Sequence, residues 1–185
     1  MKHSRATNTF LFVLVLLFAF SAHAQTRNFH VLLRTMKTNI PTKETAKSCV
    51  IVQDNGQYRY EELPGFGMPT PQNSKVYVGN LSPELKKQLD SLVDKKDLIS
   101  LGTVKPAHWK MRVQQSMELV SLNVRRGGAS EQELNYFVAD SKGAIPPPVQ
   151  AFVPWAQSLK RQLGAPVKDA QPDMCKVAAA ATTAH

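Results

Sequence analysis

Residues 49–63 constrain the fold of this chain more than any other stretch. Two runs rich in β-branched and aromatic residues, 49–53 and 57–63, flank Asp54, Asn55 and Gly56. Asn and Gly tolerate positive φ, so the pattern predicts a β-hairpin. Its register follows from side-chain pairing. A two-residue turn at Asn55 and Gly56 would set Val52 opposite Arg59 and Val50 opposite Glu61. A three-residue loop, with Gly56 in the left-handed region, sets Val52 opposite Tyr58 and Val50 opposite Tyr60. The second arrangement gathers valines and tyrosines on one face, and it is the expected one. Glu61 and Glu62 then point to opposite faces and cannot act as a close carboxylate dyad.

Around this hairpin the remaining elements follow from periodicity and punctuation. Residues 29–33 are apolar and read as a first strand. Residues 34–47 carry Arg34, Lys37, Lys43 and Lys47 among threonines, with Pro41 in the middle, and read as a basic connecting loop. Residues 64–74 are rich in Pro and Gly, and 75–79 form a further strand. Ser82, Pro83 and Glu84 supply a cap, a first-turn proline and an acid at the positive end of a helix dipole. Leu85, Leu89, Leu92 and Val93 recur on one face of that helix, which should end near Lys96. Residues 109–114 and 117–125 have strand composition. Ser130 with Glu133 forms a capping-box pattern that would open a helix, yet 134–138 is aromatic and β-prone. A strand closed by the Gly127-Gly128 turn is the preferred reading. The three prolines at 146–148 argue against regular structure, and a last helix is expected from about Pro154 to Leu163, stopped by Gly164 and Pro166. The order predicts an α+β fold: a single antiparallel sheet with two helices packed on one face.

At the N-terminus, Lys2, His3 and Arg5 precede an uninterrupted apolar run of eleven residues, 10–20, and then Ala22-His23-Ala24. The run is too short to span a bilayer core of about 30 Å as a helix. This is the layout of a signal peptide over 1–24, cleaved near Ala24 and Gln25. The expected location is therefore secreted or periplasmic, with no transmembrane anchor after processing. What remains is about 160 residues, enough for one domain with its own core. The domain is read as 25–164, and 165–185, ending in Ala178 to Ala181, as a loose Ala-rich tail. Export places Cys49 and Cys175, the two cysteines, in an oxidising compartment, and an isolated pair has one intramolecular connectivity. A disulfide between them is expected; a free tail thiol or a link between two chains are the alternatives.

Chemistry-bearing patterns are sparse. The formal charge is +9, from 23 Lys and Arg against 14 Asp and Glu, and +7 without Lys2 and Arg5. The basic doublets 86–87, 95–96, 125–126 and 160–161 are spread over separate elements, which suits general attraction to anions more than a defined site. His30, His108 and His185 stand at no metal-ligand spacing. There is no G-x-S-x-G elbow, and Gly65-Phe66-Gly67 leads into Pro69 with no helix behind it. No cofactor is expected and no catalytic residue is assigned.

Residues 76–81 resemble the first ribonucleoprotein motif of the RNA-recognition fold, with Tyr77 at the position of a base-stacking aromatic. The second motif requires a basic residue and glycines before its aromatic strand. Residues 135–138 have neither, so no specific nucleic-acid partner is expected. In layout, about 110 residues resemble small exported bacterial domains of unassigned function and emfourin-like inhibitors of thermolysin-type peptidases. The shared elements are the hairpin at 49–63, the strand at 76–78, and the lead-in Gly79-Asn80-Leu81-Ser82-Pro83-Glu84 to an amphipathic helix. That inhibitor family engages its target with a glycine-rich loop after the first strand. Residues 34–40 hold no glycine, so no functional residue carries over.

The leading expectation is an exported, non-enzymatic domain that binds a protein or a cell-envelope component. A secreted or periplasmic peptidase inhibitor is a second reading. An enzyme whose site is assembled from distant residues is a third.

Overall fold

The structure is a computed structural model and describes residues 29–65, 68, 70, 72–105, 115–127, 130–140 and 143–176. The expected signal peptide, the strand expected at 109–114, and His108 and His185 lie outside these residues.

Among the described residues, six strands form one antiparallel sheet: β1 (Phe29–Asn39), β2 (Glu44–Gln53), β3 (Gln57–Pro64), β4 (Lys75–Asn80), β5 (Ser116–Val124) and β6 (Gln132–Ala139). Their spatial order is β4-β3-β2-β1-β5-β6. The 49–63 hairpin takes the three-residue loop, with Val52 opposite Tyr58 and Val50 opposite Tyr60. Gly56 has φ 84° and donates its N–H to the Gln53 carbonyl at 2.9 Å.

The basic loop expected at 34–47 is instead a second hairpin. β1 runs on to Asn39 and β2 begins at Glu44, so only residues 40–43 turn. Polarity masked the strands, because their cross-strand pairs here are hydroxyls. Thr35 Oγ1 meets Ser48 Oγ at 2.7 Å, and Thr38 Oγ1 meets Thr45 Oγ1 at 3.1 Å. Threonine is β-branched and suits a strand as well as valine does. Pro41 falls within the turn, where no ladder N–H is required, and Lys43 adopts φ 55° beside it. The extension makes β1 the centre of the molecule, paired with β2 on one side and β5 on the other.

Among the described residues, four helical elements accompany the sheet: α1 (Pro83–Val93), α2 (Lys96–Ser100), α3 (Pro147–Gln150) and α4 (Phe152–Lys160). Ser82 caps α1 by accepting the Leu85 N–H, as its sequence predicts. α1 stops at Val93, and the residues beyond it form the separate turn α2. Of the Pro146–148 run, Pro147 and Pro148 open α3 instead of forbidding it, because the first helical turn uses no intrahelical N–H. The same reason lets Pro154 sit in the first turn of α4, which starts two residues earlier than expected.

The core lies between one sheet face and the helices. Val31 and Leu33 of β1, Val50 and Val52 of β2, and Val120, Leu122 and Val124 of β5 meet Leu85, Leu89, Phe152, Trp155 and Leu159. Trp155 Nε1–H donates to the Leu85 carbonyl at 3.1 Å and ties α4 to α1. At the other end of the helices, Arg126 donates to the Val93 carbonyl and to Gln132 Oε1. Gln132 in turn donates to the carbonyls of Leu98 and Gly102.

The segment expected to be loose from 165 onward is fastened to the sheet as far as Lys176. Val167 N–H donates to the Val76 carbonyl on edge strand β4 at 2.8 Å. Cys175 is paired with Cys49, their Cα atoms 5.9 Å apart, so the expected disulfide is formed within one chain. Residues 165–176 thus make a strap against the face that the helices leave uncovered.

Candidate functional site

Strand alternation sorts the polar residues of β3 into two sites. Glu61 stands on the strap side and Glu62 on the helix side, as the period of two requires. The sites differ in solvent access, and that difference separates a structural fastening from a candidate binding site.

Glu61 is the acceptor at the centre of the fastening. Its side chain is fully buried. Oε1 accepts from Arg59 Nε at 2.5 Å, and Oε2 accepts the backbone N–H groups of Asp173, at 3.0 Å, and Met174. Met174 and Cys175 have φ values of 46° and 56°. Consecutive amides in such a turn form a concavity suited to an anion, and here a carboxylate of the same chain fills it. Arg34 donates to the carbonyls of Met174 and Cys175, and Arg59 also reaches the Gln171 carbonyl. Cys49 lies directly opposite Glu61 in the β2–β3 ladder, so the disulfide and the carboxylate hold the same few residues of strap. Burial pushes the Glu61 carboxyl upward, against the opposing pull of Arg59. A carboxylate this enclosed has no room for a substrate.

Glu62 opens onto a cleft of about 410 Å³ between α4 and the helix-side face of β1–β4. Thr35 and Ser48, joined at 2.7 Å, and Tyr60 give the cleft a row of hydroxyls. The Tyr60 phenol is pushed upward mainly by burial. Glu62 Oε2 accepts from Lys160 Nζ, and that bond is the main reason the Lys160 ammonium sits above its ordinary pKa. Tyr77 Oη–H donates to Glu62 Oε1 at 3.4 Å, and Lys75 Nζ stands 3.9 Å from the same oxygen. Lys37 lines the cleft from β1 and lies opposite Glu118 of β5. The Lys75 and Lys160 side chains are 60% and 53% exposed, so both remain open to a ligand. The cleft therefore offers cations, hydroxyl donors and one carboxylate acceptor within a single concavity.

The residues singled out in the sequence fare differently. Tyr77 faces the helix side, its ring centroid 6.0 Å from that of Tyr60, so it lines the core and does not stand on a free stacking surface. His30 sits at a β-bulge, with Nδ1 3.1 Å from the Arg125 carbonyl and Nε2 3.5 Å from Asp90. The 125–126 doublet is structural: Arg125 lies over the Phe29 ring at 5.8 Å, and Arg126 ties α1 to β6. Among the described residues, no three His, Cys, Asp or Glu side chains are grouped to hold a metal. None of the helices among them is long and apolar enough to cross a membrane.

Thr35, Ser48, Glu62, Lys75 and Lys160 were not grouped by the sequence reading, because they come from five separate segments. One signal was available. Once Val52 is set opposite Tyr58, Glu62 must share the face of Tyr58 and Tyr60, and a carboxylate there requires a cationic partner from the covering helix.

No protein-family model, curated protein sequence or solved structure matches this chain.

Proposed function

We propose that this chain is an exported, non-enzymatic binding domain that engages a cell-envelope component or a partner protein through the cleft between α4 and β1–β4. The observation that carries this reading is the Glu62 cleft itself: a concavity with exposed lysines at its rim and hydroxyls on its floor, within the size range of ligand sites. Glu62, its carboxylate, is held by Lys160 and Lys75 and by the Tyr77 hydroxyl, an arrangement suited to holding a ligand's polar groups. Glu61, the other carboxylate of the pair, is consumed by the strap. Export rests on the 1–24 leader, and intact-mass measurement of the secreted protein tests it. A mass that retains residues 10–20 overturns that part of the reading.

The binding function is tested by capture from envelope extract with wild-type protein and with Lys75→Glu/Lys160→Glu, using Lys87→Glu on exposed α1 as a control. Loss of a captured component in the cleft variant alone supports the cleft. Identical capture by all three proteins rejects it.

The peptidase-inhibitor reading calls for a projecting segment after the first strand. Strands occupy 34–39 and 44–47, which leaves the turn at 40–43, with Ile40 37% exposed, as the part able to project. The cleft, with its exposed lysines and its hydroxyls, carries the first reading.

A further inference from the structure

We infer that the ligand of the Glu62 cleft is an acidic oligosaccharide, a chain of hydroxyl-rich rings carrying isolated carboxylates. The inference rests on the cleft being the binding site and names the chemistry that its side chains select.

A carboxylate placed among the cations disfavours a dense polyanion. Lys37, Lys47, Lys75 and Lys160 are set against Glu62 and the neighbouring Glu118, so the lining and its immediate neighbour carry a net charge of about two positive. Glu62 lies among the lysines and repels a closely spaced row of phosphates or sulfates. One carboxylate at a time can be accepted by Lys75 at the open rim. Lys160 stays anchored on Glu62 while its exposed ammonium keeps further donors available.

Hydrogen-bonding capacity points to sugar hydroxyls. Thr35, Ser48 and Tyr60 each donate and accept, and Glu62 accepts without donating. A sugar hydroxyl also does both, so it can donate to Glu62 and accept from Ser48 in the same pose. An acidic peptide offers carboxylates but few hydroxyls, and would leave the remaining hydrogen-bonding capacity of this floor unused. Unpaired buried polar groups are where such sites draw their discrimination. The volume of about 410 Å³ is that of a site for a short segment, not for a single small ion.

The test is calorimetric titration of the full mature protein at low and physiological salt. The probes are a hyaluronan tetrasaccharide, neutral chitotetraose, tetraglutamate and inorganic phosphate. Expected is saturable binding of the hyaluronan tetrasaccharide, roughly tenfold or more tighter than any of the other three, and weakened only modestly by salt. Lys75→Glu should weaken it by about tenfold or more, Ser48→Ala should weaken it with the fold intact by circular dichroism, and Lys87→Glu should not change it. Equal or tighter binding of chitotetraose, tetraglutamate or phosphate overturns the inference, as does no binding of the hyaluronan probe. If that probe fails while the cleft variant still loses its envelope partner, the saccharide inference falls and the binding reading stands. If capture is indifferent to the cleft variant, the binding reading falls first.

Discussion

At the scale of single residues, two neighbouring glutamates meet opposite fates because a strand turns successive side chains to opposite sides. Glu62 keeps contact with solvent and with exposed lysines. Glu61 has none and accepts from Arg59, Asp173 and Met174 instead. Removing one partner from a buried, charge-assisted cluster leaves the others unpaired, which costs more than the net worth of the cluster. Glu61→Ala is therefore expected to lower the unfolding free energy by about 2–4 kcal/mol. Glu61→Gln retains an acceptor oxygen and should cost less. Urea denaturation of both variants decides the matter, and an alanine cost below about 1 kcal/mol would show that the carboxylate does not hold the strap. The alternation that separates these glutamates was legible in the sequence. The burial of Glu61 was not, because its amide donors lie 112 and 113 residues away.

Among the elements, the Asp54-Asn55-Gly56 loop and the strap show local and long-range specification side by side. Gly56 at φ 84° is required by its backbone, since a Cβ there would meet nothing closer than Lys86 Cδ at 3.7 Å. Gly56→Ala should then cost about 1–2 kcal/mol through conformation alone, and Gly56→Asn clearly less, by thermal or urea unfolding. Equal costs for the two would point to a packing cause. The strap has no comparable local signal. Residues 165–176 lack apolar period, and their order comes from Cys49, Arg34, Arg59, Glu61 and Val76, all on the sheet. Cys175→Ser opens a loop of 126 residues, for which chain entropy sets an upper cost of about 5 kcal/mol. Hydrogen exchange should rise first across the strap and stay protected in α1. Uniform loss of protection would mean that the strap and the core unfold as one unit.

Across the whole molecule, burial leaves a signature in the four tyrosines. Tyr58, Tyr60, Tyr77 and Tyr136 all have phenols pushed above their ordinary value near 10, with burial as the first cause in each. A raised acid pKa means that the folded protein keeps its protons longer than the unfolded chain. This contribution to stability is complete below about pH 10 and is lost as pH rises through the folded values. Absorbance titration at alkaline pH should thus give a later tyrosinate midpoint for native protein than for protein in concentrated urea. Coincident midpoints would contradict the burial of these rings. The α+β class, the hairpin register, the cap at Ser82 and the Cys49–Cys175 pair were all legible from neighbouring residues, turn chemistry and cysteine count. These features rest on interactions over a few residues, or on a pair with one possible connectivity. The full length of β1 and β2 was not legible, because threonine and lysine in a strand look like a loop until the partner strand supplies Ser48 and Thr45 as hydroxyl partners. Nor was the cleft, whose Thr35, Glu62 and Lys160 become neighbours only when α4 docks on the finished sheet. Sequence alone determined which segments prefer to be extended or helical, since that preference is a property of short stretches of chain. Tertiary structure decided which polar groups are buried and which remain open to a ligand, because desolvation depends on what packs against a side chain and not on what precedes it.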